Sequence, residues 1–255
     1  MNYLPFDQLR KSLLVLLLVP TFFMTSCNND EDDTSDVKAS PGLNIDEAAT
    51  TVKSSLIELN GGFLLHANHI SEQMDELDTM GCYDMTEIDT SFSELSDSGD
   101  YYVNSDIFYS VTMICDTTQT PEYLNFTYAC TLSYSNPNYT AEAEKYGSIN
   151  VSGFNTSGSL LTFDLNGSQN EVLESVENSS ITYTNNVIID MENVVYNSNA
   201  AWQQIESGSG DFEVYGENNS GVSYNYNGTL VFNGDETVTL NFTSGEVVTI
   251  NIYPL

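Results

Sequence analysis

From residue 101 onward the apolar residues of this chain recur at every second position. Val103, Ile107, Tyr109, Val111, Met113 and Cys115 share one phase, and so do Leu124, Phe126, Tyr128, Cys130, Leu132 and Tyr134. The same alternation carries Leu161, Phe163 and Leu165, then Val187, Ile189 and Met191. It returns in Leu230 and Phe232, in Val238, Leu240 and Phe242, and in Val248, Ile250 and Ile252. A period of two sends all these side chains to one face of a pleated strand and leaves a polar face opposite. Turn signals separate the runs at Thr120-Pro121, Asn166-Gly167, Asn227-Gly228, Asn233-Gly234 and Ser244-Gly245. Short strands with one polar face, joined by such turns, predict an antiparallel sheet in hairpin succession. Its clearest part is a meander near 229–233, 237–243 and 247–253. The spacing is not a strict repeat, which argues against a propeller. Gly208-Ser209-Gly210 reads as a loop before a strand.

Upstream the period changes. Ile45, Ala49, Val52, Leu56, Leu59, Phe63, Ala67, Ile70, Met74 and Leu77 recur at spacings of three and four, placing one apolar stripe on a helix. Asn44 or Asp46 caps its start. Asn60-Gly61-Gly62 interrupts the run, but the stripe keeps its phase, which predicts a kink. The fold class is therefore mainly β: an N-terminal amphipathic helix packed on a large antiparallel meander sheet, as a sandwich or half-barrel.

The N-terminus has a different logic. Arg10 and Lys11 precede an apolar stretch over 13–24, too short for a membrane span of roughly 20 residues but suited to an export signal. Met24-Thr25-Ser26-Cys27 closes that stretch and resembles a bacterial lipobox, with Met where Leu is usual. Cleavage before Cys27 and lipidation of its sulfur follow from that resemblance. The domain division is then a signal peptide over 1–26, a lipidated Cys with an acidic tether over 27–43, and one helix-plus-β domain over 44–255. A flexible tether of this length spans on the order of 20–25 Å.

Asn28-Asn29-Asp30-Glu31-Asp32-Asp33 follows Cys27 at once. This run resembles the surface-export signature of lipoproteins from Bacteroidetes-type bacteria, which implies the outer membrane, facing the cell exterior. The segments Ser207–Phe212 and Gly228–Asp235 are more loosely similar to uncharacterised lipoproteins of that group. Those relatives have no agreed activity, so the resemblance brings no catalytic residues. Asp78-Thr79-Met80 and Asp116-Thr117-Thr118 resemble the O-glycosylation triplets of the same group.

Charge excludes several partners. Removing Asp7, Arg10 and Lys11 from the 37 acids and five bases leaves 36 acids against Lys38, Lys53 and Lys145. Nucleic-acid binding rests on Lys and Arg neutralising phosphates, so no nucleic-acid partner is expected. Clustered bases for anionic lipid are missing too, and lipid on Cys27 would have to be the membrane attachment. The acidity fits a solvated surface, with divalent-cation binding as the sharper alternative.

Candidate chemistry is sparse. His66 and His69 are the only histidines, at i,i+3 on the helix, a spacing that can bind zinc, but no third ligand accompanies them. Serine catalysis lacks a G-x-S-x-G elbow, and no P-loop is present. Paired carboxylates for glycoside hydrolysis can be neither picked out nor dismissed among so many acids. No cofactor is expected. Cys82, Cys115 and Cys130 leave three pairings, with Cys82–Cys115 preferred, beside a fully reduced alternative. Tyr is abundant in the strands, and an exposed row of it would suit sugar rings, although Tyr equally suits a half-buried sheet. Trp202 falls in a connection before a strand. The expectation is a non-enzymatic binding or scaffolding protein at the outer membrane, with a glycan or surface-protein partner. The alternative is a periplasm-facing carrier of lipid or another hydrophobe. A hollow sheet would favour the carrier, and an exposed aromatic face would favour glycan.

Overall fold

The computed structural model describes residues 43–95, 102–135, 139–154, 160–175, 182–200 and 204–253. Ten strands form one sheet: β1 (Met85–Leu95), β2 (Tyr102–Cys115), β3 (Pro121–Ser135), β4 (Tyr139–Ser152), β5 (Leu160–Ser175), β6 (Thr182–Asn197), β7 (Ile205–Asn218), β8 (Ser223–Phe232), β9 (Thr237–Phe242) and β10 (Val247–Asn251). Each pairs antiparallel with its sequence neighbours in the order β1 to β10, and the sheet does not close. The alternating residues do what their period demands. Along β2, Val103, Ile107, Tyr109, Val111, Met113 and Cys115 are buried, with more exposed residues between them. The last three strands form the expected meander.

The helical region packs on the buried inner face. Asn44 and Glu47 form a reciprocal capping box that starts α1 (Ile45–Leu56). The expected kink is instead a full break. The chain leaves helical geometry at Ile57, makes one 3-10 turn over Glu58–Asn60, and passes through Gly61 at φ 60° and an extended Gly62 before α2 (Phe63–Leu77). A Cβ on Gly62 would lie 2.6 Å from Ile57 O, so only glycine lets the linker fold this tightly. Periodicity missed this because a shared phase reports which residues are buried, not where the axis points. Phe63 then stacks edge-on against Phe163 of β5, centroids 5.7 Å apart.

Two predicted turns are strand interiors. Asn166-Gly167 lies inside β5 and Asn227-Gly228 inside β8. Gly167 pairs with Gly147 of β4, which pairs with Tyr128 of β3. The Tyr128 hydroxyl would lie 2.8 Å from a Cβ on Gly147 and 2.6 Å from one on Gly167. These glycines make room for a large neighbouring ring. Gly208-Ser209-Gly210, expected as a loop, also lies in β7, where Gly208 (φ 146°) closes on Val194 beside a register shift of β6.

Candidate functional site

The inner face is apolar at its margins and polar at its centre. Lys145 (β4), Gln169 and Glu171 (β5) and Asn185 (β6) are all buried there. They sit in register, since Lys145 pairs with Gln169 and Glu171 pairs with Asn185. Lys145 Nζ donates to the carbonyls of Asn60 (2.9 Å) and Gly61 (3.0 Å), so the helix linker is pinned to the sheet by a buried ammonium. Glu171 accepts from Tyr134 Oη (3.0 Å), Gln169 Nε2 (2.6 Å) and Asn185 Nδ2 (2.9 Å). Ser55 of α1 reaches Gln169 Oε1 at 3.0 Å. Tyr196 donates to Asn68 of α2, and Tyr226 donates to Leu43 O.

Burial lowers Lys145 to about 8, against the opposing pull of Cys130 and Glu171. Burial raises Glu171, while its three donors and Lys145 hold it back. The His66 ring lies 4.4 Å from that of Tyr128, and Nδ1 is 2.7 Å from Tyr109 Oη. Burial first, then Lys145 and His69, push His66 down to about 3, so its imidazole is neutral. A cavity of about 30 Å³ lies beside it, lined among others by Lys145, Gly167 and Gln169. Nothing in this arrangement aligns a nucleophile with a base at an open surface.

The outer face is where a ligand can reach. Phe108 of β2 and Tyr146 of β4 project outward and are about 40% exposed (38% and 43%). Both pair with Ala129 of β3, which lies between them. Two strand spacings separate the rings, about 9.6 Å, with a methyl-floored groove between. Its volume is 490 Å³, and Asp89, Asp106 and Thr131 also line it. Asp106 and Thr131 continue into a second groove of 480 Å³ with Glu142, Glu144 and Asn170. Tyr146 Oη donates to Glu144 at 2.6 Å, which fixes that ring. The described lysines are Lys53 on α1 and the buried Lys145, so the described outer face carries carboxylates and no base.

The residues singled out from sequence fall as follows. Cys27 and Trp202 lie outside the described residues. His66 and His69 share α2, but His66 faces the core and His69 lies edge-on to Phe92. Among the described residues no group of three His, Cys, Asp or Glu side chains is placed to hold a metal ion. Cys82 and Cys115 are joined, and Cys130 is a free, buried thiol. Most strand tyrosines face inward: Tyr109, Tyr128, Tyr134, Tyr183 and Tyr196 are buried. Tyr102 and Tyr215 are exposed but far apart in the strand order. Thr79 and Thr117 of the two triplets are exposed. Phe108 and Tyr146 were missed. Their signal was an aromatic out of phase with the buried set, beside Ile107 and Lys145, on the outward face. No protein-family model, curated protein or solved structure matches this chain.

Proposed function

We propose that this chain is a lipoprotein held to the outer membrane through Cys27 and facing the cell exterior, with a non-enzymatic glycan-binding role. The observation that carries the binding reading is the outward Phe108–Ala129–Tyr146 groove. An aromatic face takes the C–H face of a sugar ring, and the flanking carboxylates and Thr131 offer partners for its hydroxyls. The absence of any base on the described outer face selects against uronates and sulfated glycans, which leaves neutral polymers as the ligand class. The carrier alternative is less well supported. The helices fill the inner face, and the cavity of 30 Å³ is far too small for an acyl chain. Binding there would require the helices to leave the sheet and break the Lys145 and Gln169 contacts.

The test is affinity electrophoresis and calorimetry of the domain with neutral polysaccharides, using polyuronate as the anionic control. Phe108→Ala and Tyr146→Ala should each weaken neutral-glycan binding by about tenfold, equivalent to about 1.4 kcal/mol. No binding across the panel, or binding unchanged in both variants, would contradict the reading.

A further inference from the structure

His66 presents an unsolved problem in the core. It is 2% exposed, and its Nδ1 is engaged by Tyr109 of β2. Its Nε2 is buried and meets no protein partner. A buried polar nitrogen left in that state is costly. His66 lines the cavity of 30 Å³, and Lys145, Tyr128 and Gln169 share its wall while Tyr109 does not. Lys145 Nζ has three protons and gives two to Asn60 and Gly61. The Tyr128 hydroxyl reaches the paired glycines of β4 and β5.

We propose that this cavity is a binding site for a single water molecule, held by His66 Nε2, Lys145 Nζ and Tyr128 Oη, that bridges α2 to β4. The volume exceeds the roughly 10–15 Å³ that one water needs, and the polar partners number in the range that buried waters use. A cation is repelled by the ammonium, and an organic ligand does not fit. An anion would stand close to the carbonyls that Lys145 already holds. The hydrogen-bond count closes for a neutral water. It accepts from Nζ and from Nε2–H and donates to Tyr128 Oη, which requires Tyr109 to donate to Nδ1. In this arrangement His66 is the Nε2–H tautomer. The bridge joins the helix to the strand whose lysine pins the linker, so α2 and the linker are latched at adjacent points.

A crystal structure at high resolution tests this directly. A peak within about 2.7–3.2 Å of both His66 Nε2 and Lys145 Nζ is expected, and ¹⁵N shifts of His66 should report Nε2–H. An empty cavity, or a peak that does not touch His66, overturns the proposal. In solution, ¹⁷O relaxation dispersion should count one fewer long-lived water in Tyr128→Phe or His66→Leu than in the wild type. The same count in whichever of the two folds would also overturn it.

Discussion

His66 makes the pH dependence of stability calculable. An unfolded histidine takes a proton near 6.5, whereas the buried His66 resists until about 3. Between those values the unfolded state binds the extra proton, so stability falls as pH drops through the window. At 1.36 kcal/mol per pKa unit the full window is worth about 5 kcal/mol, and lowering pH from 7.5 to 4 removes about 3 kcal/mol. Other groups contribute. His69 is also lowered by burial and acts in the same sense. Glu171 is raised, so its protonation favours the folded state as pH falls and opposes the effect. Lys145 titrates above the window. The contribution of His66 is isolated by comparing the wild type with His66→Gln, which stays neutral and keeps a polar end for Tyr109. Urea unfolding of both proteins at pH 7.5 and pH 4 should show the wild type losing about 3 kcal/mol more than the variant. Parallel losses would refute the reasoning, because His66 would then be free to protonate in the folded protein.

Three further perturbations follow from the packing. Replacing Cys82 and Cys115 by Ser opens a link across a sequence separation of 33 and should cost about 3.7 kcal/mol by loop entropy, read as a lower urea midpoint. Gly167→Ala should cost about 1–3 kcal/mol by overpacking, and Tyr128→Phe should relieve most of it by removing the hydroxyl at 2.6 Å. Gly147→Ala should resist that rescue, since its Cβ also meets the Asn166 carbonyl at 2.4 Å. Lys145→Met should cost about 1–3 kcal/mol by leaving the Asn60 and Gly61 carbonyls without their buried donor. Combined with Glu171→Leu it should cost less than the sum, and strict additivity in calorimetric melts would show that the two charges are uncoupled.

Alternation made the inner faces of β2, β3, β5, β6 and β8–β10 legible, because a half-buried strand writes its burial into every second residue. β4 escaped because its inner face begins Ala141, Ala143, Lys145 and Gly147, which are small or polar and carry no apolar period. β1 escaped for another reason: at the sheet edge, Ile88 and Phe92 are only half-buried and too widely spaced to mark a strand. Glycine misled at two predicted turns. Gly167 and Gly228 read as turns but serve close approach inside strands, a need set by residues on neighbouring strands. The buried polar centre was illegible for the same reason, since Lys145 looks like a surface base until Asn60 and Gly61 are folded over it. The outer groove shows in sequence only as Phe108 and Tyr146 on the wrong phase, and nothing local joins two residues 38 positions apart.

The proposed address is the claim on which the rest depends. Intact cells producing the wild type or Cys27→Ala should be labelled with a fatty acid and then treated with protease. The account predicts that the wild type takes up label and is digested without cell breakage, and that the variant takes up none. A labelled wild type that stays protected would place the domain in the periplasm and contradict the surface reading. An unlabelled wild type would remove the anchor altogether.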